Sequence, residues 1–263
     1  MMTEPILQSR LPHAAWMDPR TARLPGILPV EGDDWLRVDD AYAGQMAERD
    51  RLLTDRRDAV HALMDQARPA ALELLEMILD WCRRQPGFVV AQDHVIRPDG
   101  VTVPLDRDDP LATAGRLVQE DLCILQHEGE EHVLTGAVLC FPASWMLSEK
   151  VGRPLVAIHI PVEHYSGDVA RRVQRLFDAI RSEQPLWRMN ALTYADPTLH
   201  QPRGETDRRP RPKAEERRFM RSERQCLIRL PQTRAVVFTI HTYVVRLEAL
   251  TEEERAGLVA AGL

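Results

Sequence analysis

The sequence predicts an α+β fold in which helices precede an antiparallel sheet. From residue 40 to about 85 the apolar residues recur at a helical spacing, whereas from Phe88 onward short apolar runs are separated by turn residues. Those runs are joined by hairpins or by one long helix, an order that favours an antiparallel sheet over a doubly wound parallel one. We expect an extended arm at 1–35, a single domain at 36–250 and a C-terminal helix at 251–263.

The ends of several elements carry recognisable signals. Pro69 suits the first turn of a helix, Pro86-Gly87 ends that helix, and Thr251 with Glu254 forms a capping box. The predicted strands are Val89–Val90, His94–Ile96, Val101–Leu105, Leu122–His127, His132–Phe141, Leu155–Val162, Trp187–Tyr194, Phe219–Leu230 and Ala235–Leu247. The other predicted helices are Pro110–Leu117, Ser144–Val151 and Asp168–Ile180.

Composition excludes several classes of protein. The chain has 263 residues and a net charge of −6, and this acidity gives no support for nucleic-acid binding. No window approaches the roughly eighteen apolar residues of a membrane helix. Residues 1–12 also lack the apolar core of a signal peptide, so we expect a cytoplasmic protein that is not bound to a membrane.

The spacing of glycine and cysteine excludes further chemistry. The 13 glycines never form Gly-x-Gly, so the dinucleotide-binding fingerprint is missing. The four cysteines form no Cys-x-x-Cys pair, which argues against a zinc ribbon, an iron–sulfur cluster and covalent haem attachment. If the protein performs redox chemistry, we expect its electrons to come from another chain.

The stretch from Gln119 to Tyr165 places polar side chains within apolar runs, so we interpret it as the wall of a site. His159 lies in the last predicted strand of this stretch, where both faces are apolar. Residue types alone favour a hydrogen-bonded core histidine there over a ligand. Cys140 has no cationic neighbour in sequence and is interpreted as a small buried hydrophobe. His127 and His132 flank a turn, and their spacing differs from that of a zinc-protease helix.

Residues 203–224 contain nine basic and five acidic residues within an acidic chain. A solvated loop is the ordinary interpretation of such a charge run. The alternatives are docking of an acidic redox partner, or arginines that reach inward to the carboxylates of a ligand. Arg221, Glu223 and Arg224 stand at the start of a predicted strand and are the better inward candidates.

A series of short motifs follows in a fixed order along the chain. They are Gln119-Glu120-Asp121-Leu122, Cys140-Phe141-Pro142, Trp145, Lys150-x-Gly152, Ile158-His159-x-Pro161-Val162, Arg188-x-Asn190, Arg221-x-Glu223-Arg224-Gln225, Leu230-Pro231 and Phe238-Thr239-Ile240-x-Thr242-Tyr243. Each motif alone is weak, but in this order they resemble the haem-dependent oxidative N-demethylase family. The resemblance covers about Trp35 to Leu247.

The resemblance implies a fold and an activity. It implies a PAS-like antiparallel sheet, with N-terminal and flanking helices, that carries noncovalent haem b. Members of this family use O2 to oxidise secondary methylamines such as dimethylamine, with release of formaldehyde. Because flavin, nicotinamide and iron–sulfur signatures are missing from this chain, a separate flavin/iron–sulfur reductase protein is the implied electron source.

The resemblance also implies roles for particular residues. His159 becomes the candidate axial ligand of the iron, with His241 as its competitor. The candidate cofactor-binding residues are Phe141 and Trp145 as apolar walls, Lys150, Arg188, Arg221 and Arg224 as partners of the haem propionates, and Asn190 beside them. The candidates for holding the ammonium or relaying protons are Glu163, Glu223 and Asp121, together with Glu120.

Two positions depart from the family pattern. Glu163 stands where proline is expected, and His241 stands where arginine is expected before Thr242. Either change would alter the pocket and therefore the choice of amine. The rival interpretations are a PAS-like sensor that binds haem or another ligand without turnover, and a family member that binds no haem.

Overall fold

The structure is a computed structural model that describes residues 4–22, 26–143, 145–159, 167–207 and 213–263. For residue 159 and residues 167–170 it describes the backbone alone. Within these ranges the chain forms a seven-stranded antiparallel sheet, a small three-stranded sheet and helices that pack on the large sheet. The predicted α+β class is therefore confirmed.

The strands of the large sheet lie in the order β1-β8-β9-β10-β6-β7-β2. Their bounds are β1 Leu28–Pro29, β2 His61–Leu63, β6 Asp121–Glu128, β7 Glu131–Val138, β8 Leu186–Tyr194, β9 Phe219–Arg229 and β10 Val236–Arg246. The small sheet contains β3 Val89–Val90, β4 His94–Ile96 and β5 Thr102–Pro104. The β6–β7 and β9–β10 pairs are hairpins, as the sequence predicts.

The helices are α1 Tyr42–Asp55, α2 Arg57–Val60, α3 Arg68–Arg84, α4 Pro110–Gly115, α5 Leu155–His159, α6 Gly167–Ala179 and α7 Glu252–Ala260. Pro69 lies in the first turn of α3, where its missing N–H costs no hydrogen bond. The capping box of α7 is present, because Thr251 Oγ1 accepts from the Glu254 amide at 3.1 Å and Glu254 Oε2 accepts from the Thr251 amide at 2.8 Å.

Different layers cover the two faces of the large sheet. On one face, Leu122, Ile228 and Val237 belong to the same core as side chains of α1 and α3; we call it the α1–α3 face. On the other face, Cys123, Leu227 and Ile240 share a core with Leu155, Phe177 and Ile180; we call it the α5–α6 face. Because side chains alternate along a strand, residues two positions apart point to the same face and adjacent residues point to opposite faces.

One predicted strand is wrong. Leu155–His159 is helical, with the Ile158 amide donating to the Pro154 carbonyl at 3.0 Å, and residues 160–162 lie outside the described residues. A short apolar run can be a buried strand or a buried helical turn, and its periodicity does not separate the two. Leu155 and Ile158, three positions apart, both join the core of the α5–α6 face.

Two smaller predictions also change. The helix predicted over Ser144–Val151 is reduced to a single 3₁₀ turn at Leu147–Glu149. The continuous helical pattern over residues 40–85 is interrupted by β2, which adds an edge strand to β7. Tertiary pairing with β7 overrides the local helical propensity there.

The N-terminal arm lies on the end of the sheet. The Gln8 amide donates to the Val244 carbonyl at 3.0 Å, and Gln8 Oε1 accepts from the Val244 amide at 2.8 Å. Further along, β1 pairs with β8 at the sheet edge. Among the described residues, no helix has the length and apolarity needed to cross a membrane.

Candidate functional site

Four polar side chains lie together on the α5–α6 face, where a sheet core would normally be apolar. Arg188 and Asn190 on β8 are opposite Gln225 and Glu223 on β9, and all four are half-buried. We call these four residues the polar patch. Glu223 Oε2 accepts from Asn190 Nδ2 at 3.1 Å and from Gln225 Nε2 at 3.2 Å. The carboxylate of Glu223 is thus held in place by two amide side chains.

Arg188 is the unsatisfied member of the polar patch. Its Nε is buried without a hydrogen-bond partner, and among the described residues it has no ion-pair partner. Burial lowers the pKa of Arg188, although nearby Glu223 opposes this shift. A half-buried guanidinium whose Nε has no hydrogen-bond partner could accept an anionic ligand on this face without breaking an existing hydrogen bond.

An apolar surface adjoins the polar patch. Leu186, Leu227 and Phe238 lie side by side on β8, β9 and β10, and Leu186 is two residues before Arg188 on the same strand. Ile240 on β10 is opposite Gln225. Leu186 and Phe238 are only partly buried. A cationic group beside a partly buried apolar wall is a combination that could hold a flat apolar macrocycle with peripheral carboxylates.

Arg221 lies on the same face but is already engaged. Its Nη2 donates to the Phe141 carbonyl at 2.6 Å, its Nη1 donates to the Leu199 carbonyl at 3.0 Å, and its Nε is 3.6 Å from Glu223 Oε1. Arg221 therefore fastens the loop after β7 to the segment after β8. It borders the polar patch and fixes the position of Glu223.

Arg224 and His241 lie on the α1–α3 face, opposite the polar patch. Arg224 Nη2 donates to Asp34 Oδ2 at 3.0 Å, and its guanidinium lies 5.0 Å from the centre of the Trp187 ring. The two ring nitrogens of His241 are 2.8 Å from Glu120 Oε1 and 3.0 Å from Asp39 Oδ2. With both nitrogens engaged, His241 has no lone pair directed at an added ligand.

Asp121, the first residue of β6, and Phe141, shortly after the end of β7, both lie in the interior. Asp121 Oδ1 accepts from Arg49 Nη1 at 2.6 Å and from the Cys140 amide at 2.7 Å, while Oδ2 accepts from the Phe141 amide at 2.9 Å. The Arg49 guanidinium lies 5.4 Å from the centre of the Phe141 ring. These contacts hold the chain together where β7 ends. Burial raises the pKa of the Cys140 thiol to about 12, so this cysteine is neutral.

The candidates between residues 145 and 164 border the α5–α6 face. Trp145 is half-buried and packs on the core of that face. Lys150 Nζ donates to Glu205 Oε1 at 2.7 Å and to the Ile158 carbonyl at 2.9 Å. The backbone of His159 ends α5. Glu163 and His164 lie outside the described residues.

Sequence reasoning missed His200, Thr242 and Asp39. His200 Nδ1 is 2.8 Å from the Cys140 carbonyl, and its Nε2 is buried without a hydrogen-bond partner. Thr242 Oγ1 is also buried without a partner, directly beside Glu223 in the strand register. Thr242 stood within a motif, whereas His200 and Asp39 lay in none.

A cleft among the described residues lies away from the polar patch. This cleft of about 980 Å³ opens between the N-terminal arm and α3, and Asp39 and Tyr243 from the surroundings of His241 form part of its wall. This cleft is on the α1–α3 side of the sheet. The unsatisfied polar atoms of Arg188 and Thr242 therefore mark a different surface from this cleft.

The fold and the polar patch define an α+β protein whose sheet carries a half-buried polar cluster beside a partly buried apolar surface. Comparison with known protein families matches residues 26–263 to a family described as haem-dependent oxidative N-demethylase, alpha subunit-like. The match covers nearly the whole chain, so this chain belongs to that family. The resemblance inferred from the ordered motifs is confirmed.

Proposed function

We propose that the chain is a haem-b-dependent monooxygenase that removes a methyl group from a small secondary amine such as dimethylamine. The haem would lie noncovalently on the α5–α6 face. The observation that carries this proposal is Arg188, whose buried Nε lacks a partner beside an apolar wall. Family membership supports the cofactor class, and the position of Arg188 supports the choice of face.

The candidate residues divide into three roles. His159 would ligate the iron, and Arg188 would pair with a propionate through a charge-assisted bond. Leu186, Phe238 and Trp145 would contact the macrocycle as apolar walls. In this proposal Lys150, Arg221, Arg224, Asp121 and Phe141 hold the scaffold, because the four charged side chains and the Phe141 amide already bond to other atoms of the chain.

Bound haem supplies O2 activation and transfer of one oxygen atom to the N-methyl carbon. Two electrons and two protons accompany each O2, and the second oxygen leaves as water. The hydroxymethyl amine then breaks its C–N bond and releases amine and formaldehyde. We assign the electrons to a separate reductase of the flavin/iron–sulfur class, and we place the protein in the cytoplasm.

Glu223 is the proposed partner of the protonated amine. Its carboxylate is held by Asn190 and Gln225 and faces the same side of the sheet as Arg188. A carboxylate in a partly dry site binds a small ammonium ion and can accept its proton before oxidation. Glu163 is a second candidate for this role, on sequence grounds.

Haem reconstitution of the purified protein tests the proposal. We expect a Soret band, and with a reductant and O2 we expect one formaldehyde per dimethylamine consumed. His159→Ala should shift or abolish the band. An unchanged spectrum in H159A would contradict the assignment of His159 and direct attention to the unpaired Nε2 of His200. A wild-type protein that gives no Soret band would overturn the proposed function.

A further inference from the structure

The turn before α5 contains a buried ammonium group. The side chain of Lys150 is 4% exposed, and its Nζ donates to the Ile158 carbonyl and to Glu205 Oε1. A buried lysine is stable only when its charge is paired and its donors are used. The Ile158 carbonyl belongs to the residue immediately before His159.

The Lys150-x-Gly152 motif fits this arrangement. Gly152 has φ of 75°, a left-handed conformation that favours glycine, and its amide donates to the Leu134 carbonyl at 2.8 Å. The Leu134 amide in turn donates to the Arg153 carbonyl at 3.2 Å. The turn is therefore anchored to β7, and Lys150 reaches from this fixed base towards the end of α5.

A second segment holds the same lysine from the other side. Glu205 Oε1 also accepts from Arg153 Nη1 at 3.0 Å, and the Glu205 amide donates to Glu149 Oε2 at 3.0 Å. Hydrogen bonding to Lys150 lowers the pKa of Glu205, so its carboxylate stays charged. The segment after β8 thus determines where the Lys150 ammonium lies.

Helix α5 has only five residues and needs such support. Short helices are marginal alone, and the last carbonyls of any helix lack partners within the helix. The ammonium of Lys150 supplies a donor to one of these carbonyls and also opposes the negative end of the helix. The backbone that leads into His159 is fixed from outside the helix.

We propose that Lys150, held by Glu205, is a positioning residue that sets the backbone carrying His159 and thereby the geometry of iron ligation. The proposal rests on the proposed function for the role of His159. Lys150 itself would contact neither the cofactor nor the amine. Its effect would pass through the Ile158 carbonyl.

The test compares Lys150→Met with Arg153→Met. Both variants remove a cation from Glu205, but only K150M removes the donor to the Ile158 carbonyl. In the haem-free protein, amide hydrogen exchange of residues 155–159 should accelerate on the order of ten-fold in K150M, and R153M should match the wild type. In the reconstituted protein, K150M should shift the Soret maximum and the midpoint potential, whereas R153M should not.

Two further variants, Glu205→Gln and Lys150→Arg, test the same positioning role. If K150M does not fold, Glu205→Gln, which keeps an acceptor but removes the counter-charge, should show the same exchange change in weaker form. Lys150→Arg should restore part of the wild-type spectrum, because it retains a cationic donor. Equal exchange in K150M, E205Q and the wild type would overturn the positioning role. Absence of haem binding in the wild type would overturn only the proposed function, since the exchange measurement needs no cofactor.

Discussion

Arg188 and Arg224 lie on neighbouring strands but serve opposite faces of the sheet. Arg224 is opposite Met189 in the strand register, so it points away from the side on which Arg188 lies. The Nε of each guanidinium is buried without a hydrogen-bond partner, but Arg224 also forms an ion pair with Asp34 at 3.0 Å, whereas Arg188 forms none with the described residues. The sequence gives both arginines the same candidate role, but the structure leads us to expect ligand binding only from Arg188.

This contrast gives a matched pair of variants. Arg188→Met should leave the haem-free protein about as stable as the wild type, because it removes a partly buried charge that has no hydrogen-bond partner at Nε. It should weaken haem binding roughly ten- to hundred-fold, the loss expected for a charge-assisted hydrogen bond. Arg224→Met should instead lower the free energy of unfolding and leave haem affinity of the folded protein unchanged. Urea titration and haem titration measure the two effects, and the reverse pattern would reject the assigned face.

Replacement of Glu223 tests amine recognition. Glu223→Gln keeps an acceptor for Asn190 but removes the negative charge that attracts an ammonium ion. We expect KM for dimethylamine to rise roughly ten-fold, with the Soret spectrum of the variant equal to that of the wild type. Steady-state formaldehyde release gives KM, and an unchanged KM would exclude Glu223 as the amine partner.

His241 should make stability depend on alkaline pH. Burial opposes its charge, but Glu120 and Asp39 outweigh burial and raise the pKa of His241 to about 9. Because the folded pKa lies above the unfolded value near 6.5, the stabilisation is complete below about pH 6.5 and is lost as the pH rises towards 9. Since each unit of pKa difference corresponds to about 1.4 kcal/mol, the free energy of unfolding should fall by roughly 3 kcal/mol over this pH range.

Urea unfolding between pH 6.5 and 9.5 measures this contribution. His241→Gln should be less stable than the wild type at pH 6.5 and should lose less stability as the pH rises. Tyr243 beside it, whose burial raises the pKa to about 12, remains neutral across this range. Parallel pH profiles of the two proteins would show that His241 is not charged in the fold.

The Arg49–Asp121 pair should be a major stabilising contact. Its partners are 0% and 1% exposed, and Asp121 also holds two amides at the end of β7. Removing one partner with Arg49→Met leaves a buried uncompensated carboxylate, and we expect a loss of about 3–5 kcal/mol. Arg51→Met, which breaks an exposed pair with Glu48 one turn along α1, should cost less than about 1 kcal/mol. Thermal or urea unfolding distinguishes these two outcomes.

The sequence by itself determined the class of fold, most element bounds and the family. Helical spacing, the turn at Gly129 and the capping box at Thr251 are local signals, because they depend on residues only a few positions apart. The ordered motifs identified the family for a related reason, since the order of residues along a chain needs no knowledge of their contacts.

Tertiary structure decided which of the candidate residues share a face and which are free to bind. Strand pairing placed Arg188 beside Glu223, sent Arg224 to the other side, and joined His241 to Asp39 across 202 positions. Packing also turned Leu155–His159 into a helix, because a short apolar run fits either structure until its neighbours fix its carbonyl partners. The hydrogen-bond partners of a buried polar atom depend on the folded chain, so the unpaired Nε of Arg188 could not be predicted from the sequence.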